Sequence, residues 1–156
     1  MQGEVDYIIE VAAVKIERGK ITQKFHSFCA CPIVLPEIIV TLTGITNENI
    51  ANAPSLKRVL CDLRDFCEGC EIVGHNVSFD FGFLNYYGAQ CGVTFPKAYA
   101  DTLDMLGRLL KNKIANYRLS TAAEYFNLEF KDHSALDDAC VTAEIFLTLS
   151  DLENEQ

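Results

Sequence analysis

Two aspartates and one histidine have the types and positions that suit metal-dependent chemistry. Asp80 follows the segment Gly74-His75-Asn76, and His133 lies shortly before Asp138. Carboxylate oxygens are ligands that Mg²⁺ and Mn²⁺ prefer, and a histidine can remove a proton from metal-bound water near neutral pH. Two carboxylate-held cations about 4 Å apart are the usual apparatus for in-line attack on a phosphodiester. Taken alone, a histidine in a loop is usually a surface residue, and an aspartate in an early helical turn usually stabilises the helix start. The metal-dependent chemistry therefore requires all three to share one cleft.

The elements around these residues predict such a cleft. Residues 71–75 have the pattern of a buried strand that breaks over 74–76, and a helix is expected from near Ser78 to about Gln90. Ligands of open α/β sheets bind beyond the carboxyl ends of the strands. Asp80 falls in the first turn of that helix. A final helix over about 135–152 begins just after His133 and carries Asp138 in its early turns, so both residues can face the same crevice.

The remaining pattern predicts a mixed α/β fold. Strands are expected over 7–16 and 21–29 as a hairpin, and another over 97–101. Apolar residues at helical spacing predict helices over 54–66, 102–110 and 119–126, with a short helical piece over 47–50. Residues 32–36 are expected to be a loop, and 41–46 a turn. The order begins with an antiparallel pair and goes on to strand–helix units, which indicates a mixed sheet with helices on both faces.

Composition limits the class of protein. At 156 residues, with 49% apolar and 22% charged residues, the chain is expected to form one domain. It has neither a long uncharged apolar run nor a basic, apolar leader, so a cytoplasmic protein with no membrane partner is expected. The net charge of −9 argues against broad nucleic-acid binding, although not against a nuclease whose carboxylates hold cations. The basic segment 108–118 is either a solvated face or a strip that faces phosphates.

The seven cysteines are expected to be reduced thiols that pack as small apolar groups. Cys67 and Cys70 have the spacing of a redox or zinc motif, and Cys29 with Cys31 would complete a four-thiolate zinc set. The first pair lies where a helix ends, however, whereas thiolates are activated at helix starts. Thiol packing is therefore the favoured interpretation.

Five segments together resemble the DnaQ-like, or DEDDh, family of 3′–5′ exonucleases, and most of all the proofreading domains of PolC-type bacterial DNA polymerases. Each segment is weak alone, but they occur in the family's order and at its separations. The resemblance covers about 7–149. The segments are 8–15 (IIEVAAVK), 42–46 (LTGIT), 75–80 (HNVSFD), 101–103 (DTL) and 133–138 (HSALDD).

This resemblance implies an RNase H-like fold with the 3′ end of a nucleic acid at a two-metal Mg²⁺ or Mn²⁺ site. By motif, Asp80 and Asp138 are metal ligands and His133 is the general base; Asp138 rather than Asp137 has the family's spacing after the histidine. Nucleotide-contacting or supporting roles fall to Asn76, His75, Thr43 and Gly44. Glu10 and Asp101 match recurrent positions for which structural polar contacts are implied.

One part of the family pattern has no counterpart here. The first two acidic residues of the family lie in an Asp-x-Glu-Thr motif on a central strand that precedes the segment beginning at Tyr7, and 1–6 lack such a strand. The chain is therefore expected to be a single exonuclease-like domain over 1–156 that is N-terminally incomplete. Without that strand, the first strand of the hairpin would have an unpaired edge.

Three functions follow from the resemblance. The first is a metal-dependent 3′–5′ exonuclease that acts on single-stranded DNA ends, with a DNA polymerase subunit as a partner. The second is an exonuclease-like binding module without catalysis, which the missing carboxylates and the acidic charge favour. The third is an RNA-trimming relative that differs only in its substrate.

Overall fold

The computed structural model describes residues 6–131 and 134–156. It confirms the mixed α/β class, with strands and helices in nearly the predicted order. The elements of these residues are β1 (Glu10–Glu17), β2 (Lys20–Phe28), α1 (Glu37–Thr43), α2 (Asn47–Ala51), α3 (Leu56–Phe66), β3 (Ile72–Gly74), α4 (Val77–Cys91), β4 (Ala98–Asp101), α5 (Thr102–Leu109), α6 (Leu119–Tyr125) and α7 (Ala135–Asn154).

The predicted hairpin is confirmed. Strands β1 and β2 pair antiparallel, from Glu10 opposite Phe28 to Glu17 opposite Lys20. The two residues between the strands, Arg18 and Gly19, have φ values of 53° and 77°. A two-residue turn with positive φ at both positions matches the right-handed twist of paired strands. The turn sets the pairing of Glu17 and Ile16, and an irregularity between Lys15 and Ile16 shifts the register of the rest of β1 by one residue.

Helices cover both faces of the hairpin, as predicted. On one face, the rings of Phe25 and Phe66 lie 5.6 Å apart, which places α3 there. Side chains point alternately to the two faces along a strand. Ala13 pairs with Phe25 and shares its face, whereas Glu10 lies three residues before Ala13 and so points to the other face. There its carboxylate reaches Ala135 at the start of α7. The first and last parts of the chain thus meet on this face.

The strands form two separate ladders within the described residues. Strand β3 pairs parallel with β4, from Ile72 opposite Ala98 to Gly74 opposite Asp101, whereas β1 pairs with β2 alone in residues 6–131 and 134–156. Helix α7 packs against β1, β2 and β3 and so spans both ladders. The unpaired edge expected for β1 is therefore present in the described part of the chain.

Helix α1 (Glu37–Thr43) was not predicted: the loop expected over 32–36 is confirmed, but the turn expected over 41–46 is wrong at Thr41–Thr43, which are helical. Its run of β-branched residues disfavours a helix. The ends nevertheless suit one: Pro36 precedes the first turn, and Gly44 ends the helix at φ 72° with its N–H bonded to the carbonyl of Val40 at 2.8 Å. The Thr41 and Thr43 hydroxyls donate back to carbonyls one turn earlier.

The largest core cluster lies where α5, α6 and α7 pack together. Leu106, Ala122, Ile145 and Leu149 have no exposed surface, and Val141 is almost fully buried. This packing anchors the length of α7 after its first turns, and thereby fixes the direction in which its N-terminus points. Among the described residues, no helix has the length and apolar character needed to span a membrane.

Candidate active site

The strand-to-helix corner predicted after β3 is present. Strand β3 ends at Gly74, and α4 begins at Val77 after a two-residue bend. A Cβ atom on Gly74 would lie 2.8 Å from Cγ2 of Val77, so only glycine allows the helix to start this close to the strand. Asn76 adopts a left-handed conformation, with φ 59° and ψ 49°, which asparagine tolerates better than most residues. The backbone thus turns sharply at the corner that carries Asp80.

Asp101 holds this corner together. Its Oδ1 accepts hydrogen bonds from the backbone N–H groups of Asn76 at 2.8 Å and Leu103 at 2.9 Å, and its Oδ2 accepts from Val77 at 3.1 Å. The parallel register places Asp101 directly beside Gly74. One carboxylate therefore satisfies exposed N–H groups at the starts of both α4 and α5. This geometry agrees with the structural contacts that the sequence implied for Asp101.

His75 is fixed by two hydrogen bonds. Its Nδ1 lies 2.9 Å from Oγ1 of Thr102, and its ring is also bonded to the backbone of Tyr117. Burial lowers the pKa of His75, while the charge of Asp101 and the Tyr117 bond oppose that change. The ring is thus a neutral group that ties the crevice to the loop before α6.

Asp80 lies in the first turn of α4, at the surface beside this corner. Neighbouring protein atoms remove part of its hydration and raise the pKa of the carboxyl, and the negative charge of Asp101 raises it further. The helix start partly offsets these effects through a backbone hydrogen bond. A cation bound here would relieve the repulsion and favour the ionised form.

Asp138 lies in the first turns of α7. Ser134 caps the helix, because its Oγ accepts the N–H of Asp137 at 3.1 Å and its carbonyl accepts the N–H of Asp138 at 2.9 Å. Asp138 is half-buried. The predicted base, His133, immediately precedes this cap and lies outside the described residues.

The described residues do not by themselves complete a metal site. Within 6–131 and 134–156, no group of three or more His, Cys, Asp or Glu side chains is placed to hold an ion. Asp80 and Asp138 supply the oxygen donors that Mg²⁺ and Mn²⁺ prefer, but a third ligand must come from elsewhere. The two-metal site therefore stays a prediction.

The same finding bears on the cysteines, all of which lie in the described residues. They are free, and no zinc set forms from Cys29, Cys31, Cys67 and Cys70. Burial and the nearby charge of Glu10 raise the pKa of Cys29 to about 12, and burial raises that of Cys67. Both thiols therefore stay protonated near neutral pH, as expected of cysteines that pack as apolar groups.

A second feature, a cleft of about 300 Å³, lies beside the start of α7. Thr43 and Gly44 line it from the end of α1, and Ser134 and Leu136 line it from α7. The loop that ends α1 and the first residues of α7, which are far apart in the chain, therefore face one cleft. The Thr43 hydroxyl accepts the N–H of Ile45 at 3.1 Å, which orders the loop.

Two further residues of this cleft, Glu10 and His26, were not predicted as site residues. Glu10 could have been found from the sequence, because it is the one acidic residue in the otherwise apolar run from Ile8 to Val14. His26 gave no comparable signal, since it lies among other polar residues, such as Lys24 and Ser27, on the half-exposed strand β2.

The basic segment after α5 borders the crevice through Tyr117. Arg108 is paired with Glu153, with 2.8 Å between Nη1 and Oε1. Lys111, Lys113 and Arg118 are exposed. The hydrogen bond between Tyr117 and His75 places this strip next to the corner that carries Asp80.

We expect the pKa of the His75 imidazole to lie below that of an ordinary histidine, so that the ring is neutral at pH 7. Because its pKa is lowered in the folded state, its contribution to stability is present above about pH 6.5 and decreases as the pH falls, by at most about 1.4 kcal/mol per pH unit. NMR titration of the three histidines, assigned by substitution, measures this. A midpoint equal to that of the urea-unfolded chain would contradict the burial of the ring.

Comparison with known proteins identifies the family of this fold and site. The RNase_T family, described as exonuclease, matches residues 1–146. The chain is 37% identical over 145 residues to DNA polymerase III PolC-type of Caldanaerobacter subterraneus subsp. tengcongensis. The matched region covers 92% of this chain and 10% of that protein. It is also 36% identical over 148 residues to DNA polymerase III subunit epsilon of Aquifex aeolicus. That matched region covers 94% of this chain and 73% of the epsilon subunit.

Solved structures give the same fold. The nuclease domain of 3'hExo, a DEDDh family member bound to rAMP, superposes with a TM-score of 0.77 at 18% identity, over 97% of this chain and 86% of that one. The chain spans about a tenth of the length of the PolC-type relatives but most of the epsilon subunit. On the family match, the sequence identity and the RNase H-like fold, the chain belongs to the DnaQ-like, DEDDh exonuclease family.

Proposed function

We propose that this chain hydrolyses phosphodiester bonds at the 3′ ends of nucleic acids, with single-stranded DNA as its substrate and Mg²⁺ or Mn²⁺ as its cofactor. The observation that carries the proposal is the β3–α4 corner, where the carboxylate of Asp101 accepts the N–H groups at the start of α4 and Asp80 lies in the first turn of that helix. We further propose that it works with a DNA polymerase, for which the names of its relatives give support, and that it does so in the cytoplasm.

In this proposal, Asp80 from α4 and Asp138 from α7 hold the cations, and His133 accepts the proton of the attacking water. Bound cations would neutralise charge on the scissile phosphate and lower the pKa of that water. Thr43 and Gly44 contact the terminal nucleotide from the cleft. Asn76 and His75 support the corner, where the ring of His75 is fixed by Thr102.

The phosphate backbone leading to this end is proposed to pass the strip of Lys111, Lys113 and Arg118. The residues of this strip are exposed, and Tyr117, next to Arg118, is hydrogen-bonded to His75, on a chain whose net charge of −9 otherwise repels nucleic acid. A local basic strip next to a cation site gives weak, salt-dependent affinity for the backbone.

The direct test is digestion of a 5′-labelled single-stranded oligonucleotide with added Mg²⁺ or Mn²⁺. The expected product is a ladder that shortens from the 3′ end, and excess EDTA should stop it. A phosphorothioate at the 3′-terminal linkage should block shortening, whereas the same group at the 5′ end should not. Shortening from the labelled end, or equal activity in EDTA, would contradict the proposal. An RNA of the same sequence, degraded faster than the DNA, would instead favour the RNA-trimming alternative.

Replacement of His133 by alanine should reduce the rate by roughly 10²–10⁴-fold, the contribution typical of a general base. The loss should be measured at saturating oligonucleotide and metal, so that weaker binding does not contribute. His133→Gln, which keeps size and polarity but cannot take up the proton, should be equally impaired. Wild-type rates in either variant would remove His133 from the proposed mechanism.

One observation favours a second candidate, a binding module without catalysis. The described residues contain no set of three metal-binding side chains. This alternative predicts that the chain binds single-stranded ends without shortening them, and that chelator leaves the affinity unchanged. Fluorescence anisotropy with and without EDTA, run beside the digestion assay, separates the two candidates.

A further inference from the structure

We propose that Glu10 is a positioning residue that fixes the start of α7, and that His26 holds its carboxylate in place. This inference rests on the proposed function, because α7 carries Asp138 and directly follows His133. The observation behind it is a hydrogen bond from the backbone N–H of Ala135 to Oε1 of Glu10, at 3.0 Å, between residues separated by 125 positions.

The contact is enclosed and specific. The Glu10 side chain is only 10% exposed, and Nε2 of His26 lies 3.3 Å from the same Oε1. A nearly buried carboxylate is costly unless hydrogen bonds compensate for lost hydration. The two donors, one from β2 and one from α7, provide that compensation. An apolar residue would pack on this strand at less cost, so the carboxylate points to a role beyond packing.

The hydrogen bond between Ala135 and Glu10 adds a second constraint on the start of α7. The first N–H groups of a helix have no partner within it. Ser134 accepts the N–H of Asp137 through its side chain, at 3.1 Å. Glu10 accepts the N–H of Ala135, which the cap does not reach. The beginning of α7 is therefore held both by its own cap and by the hairpin.

The position of this contact links it to the cleft. Glu10 and His26 line the cleft together with Thr43 and Gly44 on one side and Ser134 on the other. The pair thus lies between the loop proposed to contact the terminal nucleotide and the helix start proposed to supply a metal ligand and the base. A displacement of about 1 Å in such a group can cost about 100-fold in rate. Glu10 is accordingly expected to affect turnover more than substrate binding.

Three substitutions of Glu10 separate the length of its side chain from its charge. Glu10→Gln keeps an oxygen at the same reach but removes the charge, whereas Glu10→Asp keeps the charge but is one methylene too short for Ala135. Glu10→Ala removes both. We expect Glu10→Asp and Glu10→Ala to lower kcat by roughly 10–100-fold, the loss typical of groups that orient a metal ligand, with KM within about threefold. Glu10→Gln should keep most of the activity.

The control is Glu17→Ala, at the exposed end of the same strand, where Glu17 accepts the Thr22 hydroxyl at 2.6 Å. It should leave kcat unchanged. All variants are assayed well below their midpoints of thermal unfolding, so that a loss of folded protein does not lower the rate. Equal kcat in Glu10→Asp and wild type, or equal losses in Glu10→Gln and Glu10→Asp, would overturn the proposal.

Amide hydrogen exchange provides a readout that does not depend on activity. Exchange of the Ala135 N–H should be accelerated in Glu10→Asp and Glu10→Ala, and remain slow in Glu10→Gln and Glu17→Ala. If the wild-type chain is inactive but this pattern holds, the proposed function fails while the positioning of α7 by Glu10 stands. If the Ala135 N–H exchanges equally in all variants, the positioning role is wrong even where activity is present.

Discussion

Substitution of Asp138 by asparagine is expected to reduce metal-dependent hydrolysis by more than about 100-fold, since groups that only orient a ligand already cost 10–100-fold. Asparagine has the same shape but lacks the charge that would hold a divalent cation. Asp138 is half-buried in the first turns of α7, so a changed charge there is weakly screened by solvent. The measurement is kcat for 3′-end shortening over a range of Mg²⁺ and Mn²⁺ concentrations, in which high metal should restore part of the rate.

The matched control is Asp137→Asn. Both aspartates lie at the acidic start of α7, so each substitution removes a charge that stabilises the helix start by about 0.3–1 kcal/mol. Asp137→Asn should keep its rate within about threefold. Equal losses in the two variants would show that helix stability, and not metal binding, sets the activity. A larger loss in Asp137→Asn would reverse the assignment that sequence spacing gave.

The β3–α4 corner could be predicted from the sequence because its signals are local. A short apolar run, a glycine followed by Asn76, and a helical pattern after it each favour the same turn. Gly74 was expected to break the strand, and the structure adds the reason: Val77 packs too close for a side chain there. Local agreement of this kind is what makes an element predictable.

Helix α1 could not be predicted, because its local signals conflict. Ile38, Ile39 and Val40 favour a strand, and the helix is made instead by its ends and its surroundings. Val40 packs against the small cluster formed by Leu35, Ile45 and Ile50. Tertiary packing overrides propensity at such a place. The cleft that contains Thr43 and Gly44 was hidden for the same reason, since it depends on the path of this helix.

The long-range contacts of the site were the least predictable part. The bonds of Asp101 to the start of α4, of His75 to Thr102 and of Glu10 to Ala135 join residues separated by 25, 27 and 125 positions. Sequence patterns could mark Asp101 and Glu10 as polar residues in unusual places, but not name their partners. In each case the partner is a backbone or hydroxyl group, which leaves little trace in the sequence.

Replacement of Asp101 by alanine is expected to destabilise the chain by about 2–4 kcal/mol, because three backbone N–H groups lose a charged acceptor at once. The three bonds act on two adjacent helix starts, so their contributions are not additive. The control is Asp104, an exposed acidic residue in the first turn of α5. Asp104→Ala should change the free energy of unfolding by less than about 1 kcal/mol. Urea unfolding of both variants, with equal m-values, measures the difference.

Asp101→Asn separates geometry from charge and connects this corner to the chemistry. Asparagine retains one carbonyl oxygen, so it should lose less stability than alanine does. Either substitution removes the negative charge that raises the pKa of Asp80, so the pKa of Asp80 should fall. It also removes a charge that raises the pKa of His75, so the imidazole of His75 should become harder to protonate. NMR titration of Asp80 and His75 in Asp101→Asn tests both changes in one folded variant. Unchanged values would show that Asp101 acts on this corner through its hydrogen bonds alone.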